Sequence, residues 1–288
     1  MSFIARFLKL GSHLSASLAK VVLITTVAGH IAYAAQTTNK TTAVIPAKEV
    51  TKSFGLVLDL SYNANMYAEG DINQTSYTNF TIIPSYKITD KLTTSARTDI
   101  SKYHTQDENT EMSNTRIRFS HATAKLTDQI SWSNRFDGFI PTNRKDQLTN
   151  RLITATGIGT SLKYAGDITT ATLALGLRRN YHEFDYSITG EPLNEYSVAQ
   201  ALVLDFNMTE ELSLSIEGTY IMARTYQNAE RYNFETGISL GYQITKNFSA
   251  AVGLSNGGNA LKANGVDSNI EFLNEKTSEL SAGIGYTY

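Results

Sequence analysis

The final segment of the chain, which begins at Leu280 and ends at Tyr288, alternates between two kinds of side chain. Apolar or aromatic residues occupy every second position, and serine, glycine or threonine occupies each position between them. Successive side chains of a β-strand point to opposite faces, so this segment would have one apolar face and one thin polar face. A helix would scatter the same residues around its circumference. The alternation therefore predicts a β-strand.

The same alternation recurs from Phe54 onward and divides the chain into twelve predicted strands. Short turns join every second pair of strands, and the turn Ile-Thr-Asp-Lys-Leu at residues 88–92 recurs in related forms. The copies of this turn are roughly 40 residues apart, and the blades of a β-propeller repeat at a similar length. However, the chain has one tryptophan and no propeller-blade motif. Longer polar loops are predicted near residues 67–75, 104–112, 139–147, 182–194, 225–230 and 257–275.

The second face of these strands distinguishes a soluble sandwich from a membrane barrel. It is rich in glycine, serine, threonine and alanine with isolated charges, whereas a soluble strand would expose a strongly charged face. Alternating short turns and long loops, with aromatic residues near the strand ends, are typical of transmembrane barrels. We predict an all-β fold, a transmembrane antiparallel up-and-down β-barrel of about twelve strands over residues 53–288. A soluble β-sandwich or β-solenoid is the alternative.

The first 34 residues have the features of an export signal. Residues 1–20 are basic and contain no acidic residue, and residues 21–35 are mainly apolar. Ala32, Tyr33 and Ala34 have the small-x-small form of a signal-peptidase site, and the apolar run is too short for a comfortable membrane span. We predict a signal peptide at residues 1–34 and a flexible lead-in at 35–52. An N-terminal anchor helix is the alternative.

Composition excludes several functions. The chain has no cysteine, which rules out disulfides and cysteine-based metal sites, and its formal net charge of −2 gives no indication of a nucleic-acid partner. The acidic loop segments that begin at Glu69 and Asp107 lack the spacing of a dedicated calcium loop, so solvation is the better interpretation. We expect no cofactor and no metal site.

On the predicted inner face, most basic residues and most acidic residues fall on different strands. A basic wall that faces an acidic wall creates a field across a lumen, which orients polar solutes. Asp99 and Asp137 fall among the arginines and are expected to pair with them. A plugged lumen is the alternative, because barrels of about eight strands are filled and those of about sixteen are open. The predicted basic lining is Arg97, Arg116, Arg118, Arg135, Arg151, Lys163 and Arg178, and the acidic lining is Asp59, Asp205, Glu217 and Glu235.

The chain resembles Gram-negative outer-membrane β-barrels in two features. Residues 280–288 are similar to the terminal strand of those proteins, which typically ends on an aromatic residue and is read by the barrel-assembly machinery. Twelve strands with an arginine-rich wall resemble the small monomeric porins that include oligogalacturonate-specific channels; this resemblance is architectural and includes no shared linear motif. It implies a monomer in the outer membrane, in contact with lipid and lipopolysaccharide, which takes up small polar or anionic solutes, acidic oligosaccharides among them.

An outer-membrane enzyme is the less favoured class. Twelve-stranded outer-membrane phospholipases need a Ser-His pair, and beyond the predicted cleavage site the histidines are His104, His121 and His182. His121 follows Ser120, but neighbouring strand residues point to opposite faces. Residues 254–258 lack the histidine of the phospholipase His-x-Ser-Asn-Gly segment. We therefore predict a solute channel that is not an enzyme. A non-conducting structural or adhesive barrel that acts through its loops is the alternative.

Overall fold

A computed structural model describes residues 53–68, 70–105, 109–262 and 264–288. The predicted signal peptide and lead-in lie outside the described residues, as do Glu69 and Asp107 of the acidic loop segments. Within the described ranges, no helix is long and apolar enough to cross a membrane.

The described chain consists of thirteen strands and one short helix. The strands are β1 (Phe54–Asn65), β2 (Ser76–Lys87), β3 (Leu92–Tyr103), β4 (Thr110–Met112), β5 (Thr115–Lys125), β6 (Ile130–Ile140), β7 (Leu152–Ala165), β8 (Thr169–His182), β9 (Asn194–Asn207), β10 (Leu212–Thr225), β11 (Glu230–Gln243), β12 (Phe248–Asn259) and β13 (Glu279–Thr287). The helix is α1 (Arg144–Leu148), between β6 and β7.

Twelve of the strands form a closed antiparallel barrel. Each long strand pairs with its neighbours in chain order, and the first strand pairs with the last, β1 with β13. The three-residue β4 pairs only with the far end of β3 and stands apart from the barrel wall. The prediction of an up-and-down β-barrel of about twelve strands is confirmed.

The repeated Thr-containing turns connect consecutive strands at one end of the barrel. In the first turn, Thr89 Oγ1 accepts a hydrogen bond from the backbone N of Leu92 at 3.0 Å, and the equivalent threonines of three further turns do the same. A threonine hydroxyl that bonds the backbone a few residues ahead stabilises a tight turn. The recurring sequence motif is thus explained by one side-chain hydrogen bond. We call this the short-turn end, and the opposite end the long-loop end.

The outer surface of the barrel is apolar and its interior is polar. On β1, Leu60 points outward and is 44% exposed, whereas Asp59 points inward and is 4% exposed. Ser239 and Asp137 are likewise buried on the inner face of their strands. This arrangement is the reverse of that in a soluble protein, where apolar side chains fill the interior.

The start of β7 differs from the prediction. Arg151 was predicted on the inner face of a strand, but it lies one residue before β7, is exposed, and has a positive φ of 51°. The register of β7 against β8 shifts between Leu152 and Thr154. A bulge of this kind adds one residue and reverses the alternation on one side of it. Leu152 is therefore buried, although uninterrupted alternation from the exposed Ile158 would place it on the outer face.

Candidate pore lining

Five of the predicted basic residues meet on one side of the lumen. Arg97 of β3 lies directly opposite Arg116 of β5. Arg118 on β5 is the cross-strand partner of Asp137 on β6. The same line of cross-strand partners continues over β7 and reaches Arg178 on β8. We call the five residues the arginine cluster: Arg97, Arg116, Arg118, Arg135 and Arg178.

Asp137 is shared by two members of the arginine cluster. Arg118 Nε lies 2.6 Å from Asp137 Oδ1 and its Nη2 lies 3.1 Å from Oδ2, which makes a two-point ion pair. Arg135 Nε lies 3.3 Å from the same Oδ2. A planar guanidinium and a carboxylate match in this geometry, which fixes the direction of the side chains. The predicted pairing of Asp137 with the arginines is confirmed.

Asp99 holds Arg97 in a similar way. Arg97 Nη2 lies 2.9 Å from Asp99 Oδ1, and Thr81 Oγ1 donates a hydrogen bond to the same oxygen at 2.6 Å. Ser113 Oγ accepts a hydrogen bond from the Asp99 backbone N at 2.9 Å. These contacts join β2, β3 and the segment between β4 and β5. The ion pair between Arg97 and Asp99 confirms the predicted pairing of Asp99 with an arginine.

Arg178 and Arg116 have other surroundings. Arg178 is buried, donates from Nε to Asn180 Oδ1 at 2.7 Å, and stacks 4.2 Å from the ring centre of Phe139. Within the described part of the chain, the buried Nε of Arg116 has no hydrogen-bond partner. The cluster therefore combines five guanidinium groups with the two carboxylates of Asp99 and Asp137, and an excess of positive charge remains.

A cavity of about 630 Å³ lies between the arginine cluster and the loops of the long-loop end. Arg97, Arg116 and Arg178 line its barrel side, and Lys145 and Asp146 line it from α1. A space of this size admits a small organic solute. The arginines therefore border a cavity and are not wholly enclosed by neighbouring side chains.

The loop that carries α1 is tied to its neighbours. The side chain of Asn143 caps the helix by accepting a hydrogen bond from Asp146 N at 3.0 Å, and its Nδ2 donates to Met112 O at 2.9 Å. The backbone N of Ile188 donates to Thr149 O at 3.0 Å, which joins this loop to the β8–β9 loop. These bonds hold α1 beside the cavity.

The acidic residues lie on the three strands that follow β8 around the barrel: Asp205 on β9, Glu217 on β10 and Glu235 on β11. β9 is next to β8, which carries Arg178, whereas β11 is six strands away from β5 in the twelve-stranded ring. Asp205 Oδ1 accepts a hydrogen bond from Ser215 Oγ at 2.7 Å. The wall opposite β5 is therefore acidic.

Three predicted residues lie outside both groups. Lys163 is on the inner face of β7 but is exposed, and it lies six residues closer to the short-turn end than Gly157. Asp59 is buried on the inner face of β1. Neither belongs to the arginine cluster, and Arg151 lies in a loop, as described above.

The structure also places luminal residues that the sequence analysis did not select. Phe139 lies inside the barrel two residues after Asp137, in a segment predicted as a loop. The Tyr77 hydroxyl donates a hydrogen bond to Glu279, which links β2 to β13 inside the lumen. Counting alternation from Asp137 or from Thr81 would have assigned Phe139 and Tyr77 to the inner face.

Solved outer-membrane channels share this fold. The COG4313 outer membrane channel from Pseudomonas putida F1 has a TM-score of 0.58 and 11% identity, with 84% of this chain and 98% of that chain covered. The NanC porin has a TM-score of 0.52 and 13% identity, over 81% of this chain and 98% of that chain. The KdgM porin in complex with disordered oligogalacturonate has a TM-score of 0.51 and 10% identity, over 81% and 99%. The predicted architectural resemblance to small outer-membrane porins is confirmed.

Sequence comparison identifies the family. No curated protein sequence matches the chain significantly. The family model described as "Protein of unknown function, DUF481" matches residues 102–288, which is more than half of the chain. The matched part begins near the end of β3 and includes four of the five clustered arginines, from Arg116 to Arg178. The chain belongs to the DUF481 family.

Proposed function

We propose that this protein is an outer-membrane channel for passive diffusion of small polar or anionic solutes. The observation that carries the proposal is the arginine cluster, which borders a cavity inside a barrel with an apolar outer surface. A charge cluster of this kind is costly to bury unless it is paired or solvated. A water-filled lumen that conducts ions would solvate these charges and so explains how the barrel tolerates the arginine cluster.

The apolar exterior supports a location in a membrane. A closed barrel satisfies its backbone hydrogen bonds between strands, so it is stable in lipid without an exposed edge. The fold shared with porins and the predicted export signal support the outer membrane. We also propose a monomer that contacts lipid and lipopolysaccharide, with residues 280–288 as the segment read by the barrel-assembly machinery.

The charge distribution supports a preference for anions. The arginine cluster carries more positive than negative charge, and the acidic wall faces it across the lumen. Guanidinium groups bind carboxylates and phosphates through paired hydrogen bonds, so an anion would pass along the basic wall. One structure of similar fold holds oligogalacturonate. We include acidic oligosaccharides among the proposed solutes on that basis.

The histidines favour a channel over an enzyme. His104 lies 2.8 Å from Thr78 Oγ1, and His182 Nδ1 lies 3.4 Å from the Tyr226 hydroxyl. A hydrolase triad adds a third group, usually a carboxylate, that orients the histidine, and within the described residues neither His104 nor His182 is hydrogen-bonded to a carboxylate.

Solute uptake into proteoliposomes tests the proposal. The refolded barrel is expected to admit labelled glucose and to admit glucuronate faster than glucosamine, which is cationic. Arg116→Ala should lower the ratio of glucuronate to glucosamine uptake. Arg179→Ala is the matched control, because Arg179 points outward from β8 and pairs with Glu195 at 2.8 Å. Uptake no faster than in empty liposomes would favour a non-conducting barrel that acts through its loops.

A further inference from the structure

Residues 269–277, here named the outer loop, lie against the outside of the barrel. Thr236 of β11 and Asn256 of β12 are paired in register and point outward. Asn256 Nδ2 donates a hydrogen bond to Glu271 O at 2.8 Å, and Thr236 Oγ1 contacts Phe272 O at 3.5 Å. Because both side chains point away from the lumen, the segment that they bind lies on the outer surface.

Side-chain exposure agrees with this position. Phe234 points outward from β11, yet it is 4% exposed, whereas Tyr242 on the same face of the same strand is 52% exposed. Asn256 is buried as well. The outer loop therefore covers a part of the wall that would otherwise be exposed. The loop itself exposes three large apolar side chains: Ile270, Phe272 and Leu273.

Part of the backbone of the outer loop is hydrogen-bonded to side chains of the loop and of the barrel wall. Asn274 Oδ1 accepts hydrogen bonds from the backbone N of Lys276 and of Thr277, both at 3.0 Å. Asn274 N donates to Ser278 Oγ at 2.8 Å. An irregular segment can approach lipid only when its polar backbone groups have partners. The outer loop meets that condition at its turn.

We infer that the outer loop is a lipid-binding element whose apolar side chains insert at the boundary between headgroups and acyl chains. The inference rests on the proposed function, since it requires a barrel that spans a membrane. The occupant is lipid because the outer loop is bound by Asn256, which shares the outward face of β12 with the exposed Val252, and the neighbouring β13 exposes Leu280 on the same surface. Aromatic and aliphatic side chains concentrate at this boundary in membrane proteins. The outer loop precedes β13, which begins at Glu279, so its apolar side chains would add to the lipid-facing surface at the long-loop end.

Tryptophan fluorescence in vesicles of brominated phosphatidylcholine tests this inference. The chain has one tryptophan, Trp132, which points outward from β6 and serves in the unaltered protein as the reference for a lipid-facing side chain. In a Trp132→Phe background, the fluorescence of Phe272→Trp should be quenched about as strongly as that of Trp132 in the unaltered protein. Quenching should be strongest with lipids that carry bromine near the headgroup end of the acyl chain. Val266→Trp is the matched control, because Val266 belongs to the same long loop but lies in a separate turn held by Asn264.

The possible results separate this inference from the proposed function. Strong quenching of Phe272→Trp with weak quenching of Val266→Trp supports the lipid-binding loop. Equal and weak quenching of both, with Trp132 quenched in the unaltered protein, would overturn it and leave the membrane barrel intact. Absence of quenching at Trp132 would contradict the membrane barrel itself. Adding Asn256→Ala to Phe272→Trp should reduce quenching, because it removes the bond to Glu271; unchanged quenching would contradict docking through Asn256.

Discussion

Arg118 and Asp137 form a two-point ion pair between β5 and β6, with atom separations of 2.6 and 3.1 Å, and the Asp137 side chain is 2% exposed. The same carboxylate also contacts Arg135. One buried acid thus orients two arginines on the lumen wall and neutralises only one of their charges. Asp137 is therefore central to both the stability and the charge of the arginine cluster.

Asp137→Asn is expected to destabilise the barrel. It leaves Arg118 and Arg135 close together without the carboxylate between them, and breaking a buried ion pair from one side costs about 3 kcal/mol. Urea unfolding in detergent micelles measures the change. Asp205→Asn, which removes an acidic charge bonded to Ser215 on the other wall, should cost about 1 kcal/mol. Equal effects of the two substitutions would contradict the central position of Asp137.

Arg116→Ala combined with Arg118→Ala should shift ion preference toward cations. The double substitution removes two positive charges from the lumen and leaves the acidic wall unchanged, so the field across the lumen favours cations more. The reversal potential under a salt gradient in a planar bilayer reports the change. Arg179→Ala with Arg224→Ala is the matched control, because both of these arginines point outward. Unchanged selectivity in the first variant would remove Arg116 and Arg118 from the pore lining.

Gly159→Ala should disturb the arginine cluster directly. A Cβ at Gly159 would lie 2.7 Å from Arg135 Nε and 2.9 Å from Leu175 O, so both the guanidinium and the strand must shift. Overpacking of this kind costs about 2 kcal/mol. Urea unfolding is again the measurement. Gly138→Ala on β6 is the control, because its added Cβ would have no heavy atom within 4 Å, and equal destabilisation by both would refute the steric explanation.

Asn143→Ala should loosen the loop that lines the cavity. The substitution removes the helix cap and the bond to Met112 O, and loss of such a cap costs about 1 kcal/mol. Single-channel recording should show a larger or noisier conductance. Asn264→Ala, which removes a similar turn-forming asparagine from the β12–β13 loop, should leave conductance unchanged. A quiet channel of unaltered size in Asn143→Ala would show that α1 does not limit the pore.

The barrel was predictable because its two environments alternate with period two along every strand. Lipid-facing and lumen-facing residues are chemically different, so the residues after Phe54 specify faces as well as strands. The repeated turns were predictable for a local reason, since Thr89 and its equivalents bond a backbone N three residues ahead. The arginine cluster followed from the same alternation.

The remaining features depend on contacts between segments that are distant in sequence. The bulge between Leu152 and Thr154 reverses the alternation, and no residue type announces it, which explains the error at Arg151. The inward position of Phe139 was missed because an aromatic residue fits either lipid or a contact such as that with Arg178. The helix α1 and the outer loop are held by tertiary hydrogen bonds, so local propensity does not specify them.

Recording of single channels from the refolded protein in a planar bilayer tests the central claim most directly. A lumen bordered by the arginine cluster predicts stable unitary currents and a reversal potential shifted toward that of the anion under a salt gradient. A folded barrel that inserts but passes no current, or a current with cation preference, would contradict the claim that the arginine cluster lines an open, anion-selective pore.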